Sequence, residues 1–130
     1  MKKSAEILLQ GKKKVDVVLD GFTVKTDLST EFGGENVALD PFRTFLTSIA
    51  ACSGLFLKNY CDTQQISTEG MKLFQHFEFD DHGMLAKTVT EVQLPPSFPE
   101  NKRKALENTL MVCKVKKHMD PKIISEVVLK

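Results

Sequence analysis

Hydrophobic and polar positions alternate in the first third of the chain, with the two-residue period of β-strands. The segments Val15–Leu19 and Phe22–Thr26 both show this alternation. Between them stand Asp20 and Gly21, residue types that adopt the positive φ angles of a tight hairpin turn. A shorter apolar segment, Glu6–Leu9, predicts one more strand. The N-terminal third is therefore predicted to be strands joined by tight turns.

A long helix is predicted after a charged loop that contains Gly33 and Gly34. Asp40 is suited to cap this helix by accepting backbone N–H bonds, and Pro41 suits its first position. The apolar residues that follow fall on every side of the helical wheel, which is typical of a helix surrounded by protein. They are Phe42, Phe45, Leu46, Ile49, Ala50, Leu55, Phe56, Leu57 and Tyr60.

The pattern of alternation returns in the second half of the chain. An alternating run up to Phe79, a turn at residues 80–83 and a second run from Leu85 to Leu94 predict another hairpin. Three prolines end that strand, and a helix is predicted from Lys102 to Leu110. A last strand is predicted from Ile123 to Leu129. Helices segregated against antiparallel sheet make the predicted fold class α+β.

Composition narrows the class of protein. The 130 residues suffice for one domain, residues 1–130, with a core of its own. The 18 basic and 17 acidic residues give a net charge of +1, so nucleic acid is not an expected partner. No apolar stretch approaches the roughly 20 residues that a membrane span requires, so no membrane partner is expected. Three cysteines, with no secretory apolar region after Met1, indicate a reducing and therefore cytoplasmic location.

Two of the three cysteines are candidates for chemistry. Cys52 lies in the predicted long helix, and Cys113 lies at or just beyond the end of the next one. The thiolate is the reactive form of cysteine, so a thiol in an apolar segment needs positive charge or helix-end amides beside it. The residues alone leave an alternative open, in which Cys52 is an inert buried thiol. Cys61 is predicted to be a small buried apolar residue.

The surroundings of both cysteines resemble motifs of one family. The segment from Asp40 to Cys52 resembles the proline-led helix of the OsmC/Ohr family that ends in Ala-Ala-Cys. The segment from Cys113 to Lys117 resembles the same family's second cysteine motif. The element order fits over nearly the whole chain. The resemblance implies an OsmC-like fold, with antiparallel sheets packed around a long buried central helix, and an intertwined homodimer.

The resemblance also implies a chemistry for the two cysteines. Cys52 occupies the position of the peroxidatic thiolate, which attacks an organic hydroperoxide and becomes a sulfenic acid. Cys113 occupies the position of the resolving cysteine, which converts that acid into an intramolecular disulfide. A dithiol, often a lipoyl group in this family, then restores both thiols. No metal or organic cofactor is implied.

The chain departs from the family pattern where the thiolate is stabilised. Hydroperoxide-reducing members carry an acid after the helix proline and an arginine in the N-terminal strand region. Here Phe42 follows the proline, and the first arginine in the chain is Arg43. In a regular helix Arg43 lies about 13 Å along the axis from Cys52 and on the opposite face. It can serve only if the helix begins irregularly or if a dimer partner presents its own copy.

Other side chains are candidates for the same task. Lys114, Lys116 and Lys117 follow Cys113 and bring positive charge, as do the lysines near the N-terminus. Ser48 lies one turn before Cys52 on the same helix face. Its hydroxyl is expected either to bond the Cys52 sulfur or, as serine does more often at this spacing, a backbone carbonyl.

Three functions follow from these patterns. The first is an OsmC-like thiol peroxidase of oxidative-stress defence. The second is a thiol–disulfide redox protein of the same fold with little peroxidase activity. The third is a dimeric protein that binds an apolar ligand in an interface pocket lined by Phe42, Phe45 and Phe56.

Overall fold

The computed structural model describes residues 1–119, 125–126 and 128–130. The chain divides into two compact units, Met1–Thr47 and Ser48–Lys130. The single domain expected from chain length stays a prediction.

The first unit is built on a three-stranded antiparallel sheet in the order β1-β2-β3. The strands are β1 (Glu6–Leu9), β2 (Val15–Leu19) and β3 (Phe22–Thr26). Asp20 and Gly21 form the turn between β2 and β3 with φ angles of 52° and 82°. Positive φ at both positions is the backbone of a type I′ turn, whose twist matches that of the strands. The predicted hairpin is confirmed, as is the strand before it.

A buried carboxylate fixes the loop that follows β3. Asp27 is 1% exposed and accepts backbone N–H bonds from Leu28, Glu35 and Val37 at 2.8, 3.1 and 3.2 Å. A Cβ atom at Gly34 would overlap the Leu28 carbonyl oxygen, so this close approach requires glycine. The predicted loop is thus an ordered turn of chain, with one 3₁₀ turn at Thr30–Phe32.

Asp27 is expected to make the stability of the protein sensitive to acid. Its burial alone would raise the pKa of the carboxyl, but the three N–H bonds and the Lys14 charge together hold the pKa below its usual range. A lowered folded-state pKa contributes stability above about pH 4 that is lost as the pH falls. The free energy of unfolding, measured in urea, should therefore fall less between about pH 7 and about pH 3 for the Asp27→Asn variant than for the native chain. Asp81→Asn, in an exposed turn, is the control, and equal acid sensitivity of the native and Asp27→Asn chains would contradict this account.

Helix α1 (Pro41–Thr63) begins as predicted. The Asp40 carboxylate accepts the backbone N–H of Arg43 at 2.7 Å, which satisfies a donor in the first turn. The helix differs from the prediction in its burial, because only one stripe is buried: Ile49, Cys52, Ser53, Leu57 and Cys61. Phe42, Phe45 and Leu55 are 48%, 40% and 57% exposed. The helical wheel shows which positions are apolar, but it does not show which of them are buried. In this single chain, other parts of the structure bury only one stripe of the helix.

The second unit contains an antiparallel hairpin of β4 (Lys72–Phe79) and β5 (Leu85–Gln93). In the turn between them, Asp80 Oδ1 accepts the backbone N–H groups of His82 and Met84, both at 2.9 Å. The second predicted hairpin is confirmed. Two helices follow, α2 (Arg103–Met111) and the short α3 (Lys114–Lys117).

The core of the second unit joins α1 to α2. Its buried members are Leu57, Cys61, Phe98, Leu106 and Leu110. Partly buried side chains from both strands of the hairpin, among them Leu73 and Val92, pack against it. The predicted strand from Ile123 to Leu129 includes residues outside the described ones. In the described part of the chain, no helix is long and apolar enough to cross a membrane.

Candidate functional site

Cys52 and Cys113 meet inside the second unit. Cys52 lies on the buried stripe of α1 and is 9% exposed, whereas Cys113 lies between α2 and α3 and is fully buried. The two side chains lie near enough to interact, and both are free thiols. The structure therefore brings together the two cysteines that the sequence singled out.

The surroundings of Cys113 raise the pKa of its thiol. Burial raises the pKa of Cys113 most, and the neighbouring Cys52 thiol raises it further. The backbone N–H and the charge of Lys116 act in the opposite direction, and the net pKa of Cys113 is raised. The raised pKa keeps the Cys113 thiol protonated near neutral pH.

Four polar side chains form a hydrogen-bonded cluster that includes sequence neighbours of both cysteines. They are Ser53, Gln75, Thr90 and Lys116. Gln75 and Thr90 are cross-strand partners on β4 and β5. The Gln75 Oε1 accepts hydrogen bonds from Ser53 Oγ at 3.0 Å and Thr90 Oγ1 at 2.9 Å. Lys116 Nζ in turn donates to Thr90 Oγ1 at 3.4 Å. A chain of hydrogen bonds therefore runs from Ser53, which follows Cys52, to Lys116, three residues after Cys113.

Two members of the polar cluster retain capacity to donate. The Gln75 Nε2 is buried without an acceptor among the described residues. The Lys116 ammonium has three N–H bonds, of which the Leu110 carbonyl at 3.1 Å and the Thr90 hydroxyl take two. Sequence reasoning missed Gln75 and Thr90. One signal in the sequence could have identified Gln75. It is a polar residue on the same strand face as Leu73 and Phe77, which are apolar.

A cavity of 530 Å³ lies between β5 and α2, next to the polar cluster. Thr90 and Lys116 line it, together with the apolar side chains of Val92, Leu94, Leu106 and Leu110. Apolar walls with a few placed polar groups are the usual composition of small-molecule pockets.

The other predicted site residues lie elsewhere. Arg43 Nε donates to the Asp40 carboxylate at 2.8 Å, so its guanidinium is paired at the start of α1. Ser48 is exposed on α1, one turn before Cys52. The roles predicted for both residues as thiolate stabilisers stay predictions.

Cys61 is fully buried in the core of the second unit. Burial raises the pKa of its thiol, the nearby Asp62 charge adds to this, and Lys58 only partly offsets it. A raised pKa keeps the thiol protonated and unreactive, which agrees with its predicted role as a small apolar residue.

The three phenylalanines of the predicted apolar pocket divide between the units. Phe42 and Phe45 in the first unit have ring centroids 6.1 Å apart. Phe56 packs against the core of the second unit. The pocket stays a prediction. As for metals, the residues that the structure describes include no group of three or more His, Cys, Asp or Glu side chains that could hold an ion.

Comparison with known proteins finds similarity at the level of structure. No protein-family model matches this chain, and no curated protein matches it. A crystal structure from Psychrobacter arcticus, of a protein described as an osmotic stress induced and detoxification response protein, has a TM-score of 0.74 and 18% identity. That match covers 93% of this chain and 90% of the other.

A second solved structure comes from Legionella pneumophila and is described as an organic hydroperoxide resistance protein OsmC, a redox protein and regulator of sulfide bond formation. Its TM-score is 0.53 at 21% identity, with 90% of this chain and 88% of the other covered. At these identities the shared property is the fold.

Proposed function

The chain has the OsmC fold, and from that premise we propose that it is a cysteine-based thiol peroxidase that reduces organic hydroperoxides. The observation that carries the proposal is the proximity of the free thiols of Cys52 and Cys113 in the second unit. Two free thiols that lie near each other can serve as an attacking and a resolving cysteine. The general role is redox chemistry in the defence against peroxides.

In the first step the Cys52 thiolate attacks one oxygen of the O–O bond. The S–O bond forms as the O–O bond breaks, and the alkoxide leaves and takes up a proton to become the alcohol. The peroxide is reduced and Cys52 is oxidised to a sulfenic acid.

In the second step Cys113 attacks the sulfur of that sulfenic acid. The S–S bond forms, the S–O bond breaks, and hydroxide leaves as water with the proton that Cys113 gives up. A dithiol, which we propose to be of the lipoyl type, reduces the disulfide through two exchange steps and is itself oxidised to a disulfide. The proximity of the two thiols supports this sequence, because a disulfide requires Cα atoms less than about 7 Å apart.

The test is catalytic consumption of cumene hydroperoxide with dihydrolipoamide as the reductant. With the dithiol present, we expect each chain to reduce many molecules of hydroperoxide. Without it, each chain should reduce one molecule and then stop. Failure of the reduced protein to consume even one equivalent of hydroperoxide would refute the peroxidase function.

A second candidate is a thiol–disulfide redox protein with little peroxidase activity. Phe42 at the position of the family's acid, and the pairing of Arg43 with Asp40, favour it. This function predicts that an oxidised dithiol forms the Cys52–Cys113 disulfide quickly and a hydroperoxide forms it slowly. Comparison of the two oxidation rates separates the candidates.

We also propose that the protein is a homodimer. The exposed apolar side chains of α1, among them Phe42, Phe45 and Leu55, support this, because exposed apolar surface on this scale marks an association site. Light scattering should give twice the chain mass of 14.6 kDa. A mass equal to one chain would refute the dimer.

A further inference from the structure

The cavity between β5 and α2 is bounded by one face of each element. On β5, Thr88, Thr90 and Val92 share a face of the strand because side chains alternate, and Leu94 follows with the same spacing. On α2, the lining residues recur every three or four positions and therefore form one face of the helix. They are Arg103, Leu106, Glu107, Leu110 and Met111.

A fixed ammonium group lies at the Thr90 end of this cavity. Lys116 Nζ donates to the Leu110 carbonyl oxygen at 3.1 Å and to the Thr90 hydroxyl at 3.4 Å. Its third N–H has no acceptor among the described residues. Lys116 is partly buried, and a partly buried ammonium with an unused donor is a place where an anion gains a charge-assisted hydrogen bond.

The charged residues that line the cavity favour an anion over a cation. Three are basic, Lys87, Arg103 and Lys116, and one is acidic, Glu107. Glu107 pairs with Lys104 of its own helix at 3.6 Å. Lys87 and Arg103 pair with exposed glutamates at 3.8 and 3.6 Å, whereas Lys116 has no carboxylate partner in the part of the chain that the structure describes. One cation at the cavity is therefore available to a ligand.

The walls next to this cation are apolar. Val92 and Leu94 pack against the core cluster, to which the lining residues Leu106 and Leu110 belong. Met111 also lines the cavity and is 70% exposed. A hydrocarbon chain placed against such walls leaves water, and each CH₂ group that it buries adds to the affinity.

We infer that the cavity between β5 and α2 is a binding site for an amphipathic carboxylate, a hydrocarbon chain of medium length with one carboxylate at its end. The carboxylate accepts the third N–H of Lys116, and the chain lies against Val92, Leu94 and Leu106. A single available cation matches a single negative charge. Neither cysteine is among the described residues that line this cavity, so the inference goes beyond the proposed thiol chemistry.

Isothermal titration calorimetry of the full chain with octanoate and with 1-octanol tests the two parts of the ligand separately. We expect octanoate to saturate one site per chain and to bind about tenfold more tightly than 1-octanol, which has the chain without the charge. In Lys116→Gln, octanoate should bind about tenfold more weakly and 1-octanol as before, because only the charged contact is lost.

Lys114→Gln is the control for this substitution, because it removes an exposed lysine of the same helix that is not among the lining residues. It should leave both affinities unchanged. Octanoate that does not saturate the chain at millimolar concentration, or that binds no more tightly than 1-octanol, overturns the inference. Equal octanoate affinity of Lys116→Gln and the native chain overturns it as well.

Met111→Asp locates the site, and it decides the question if circular dichroism shows that Lys116→Gln does not fold. Met111 is exposed at the cavity, so the substitution places a like charge beside the ligand and leaves the core intact. Val112→Asp is the matched control, since Val112 is 53% exposed and does not line the cavity. Weaker octanoate binding in Met111→Asp alone supports the inference, and equal affinities of the two variants overturn it. The titrations use reduced protein without peroxide, so their outcome is independent of the peroxidase function.

Discussion

Replacement of Cys52 by serine should lower the rate of organic hydroperoxide consumption by at least about 100-fold, because a serine hydroxyl near neutral pH is a far weaker nucleophile than a thiolate. The same variant should form no intramolecular disulfide, since the sulfenic acid on Cys52 is its precursor. Coupled consumption of cumene hydroperoxide by a dithiol measures the first effect, and mass spectrometry of the oxidised chain measures the second.

Cys61→Ser is the matched control for this substitution. It changes one sulfur to oxygen in the same helix, but Cys61 is buried in the core and makes no contact with Cys113 in the described structure. It should lower stability without removing turnover. Equal activity of Cys52→Ser and the native chain, or loss of activity in Cys61→Ser alone, would contradict the assignment of the attacking thiol.

Replacement of Leu106 by alanine should destabilise the protein by about 2–5 kcal/mol, the usual cost of deleting a fully packed leucine side chain. Leu106 is 3% exposed and lies in the core cluster that joins α1 to α2. That cluster also sets the position of α2, after which Cys113 follows. Urea unfolding, monitored by circular dichroism, measures the loss.

Met111→Ala is the control for the core substitution. Met111 is of similar size and lies on the same helix, but it is 70% exposed. Its truncation should cost less than about 1 kcal/mol, as surface substitutions generally do. Equal losses of unfolding free energy for the two variants would contradict the assignment of Leu106 to the core.

Much of the fold could be predicted because local signals and tertiary structure agree. Asp20 and Gly21 have the residue types that a type I′ turn requires, and the alternation on both sides of them then fixes the strand register. Asp40 and Pro41 mark the start of α1 for equally local reasons. Such features depend on a few neighbouring residues.

The parts that escaped prediction depend on contacts between distant residues. The apolar residues of α1 were placed correctly on the helix, but a wheel does not show which of them the chain itself covers. The segment that forms α3 contains three lysines and one valine, and four residues are too few for a helical period to appear. Gln75 and Thr90 become partners through the hairpin register, and Lys116 joins them only because α2 ends where it does.

For the candidate site, the sequence supplied the two cysteines and the structure supplied their contact. A resemblance of motifs selected Cys52 and Cys113, and no local rule specifies that residues so far apart in the sequence lie near each other in the fold. The cation is the reverse case. Arg43 was prominent as one of two arginines in the chain, yet its guanidinium is paired with Asp40.

Disulfide mapping after oxidation tests the central claim most directly. The fully reduced protein is treated with one equivalent of cumene hydroperoxide, blocked with an alkylating reagent and digested without reduction. The account predicts a linked peptide that contains Cys52 and Cys113, with Cys61 recovered as the alkylated free thiol. A disulfide that includes Cys61, or a Cys113 that stays free while Cys52 is oxidised further, would contradict it.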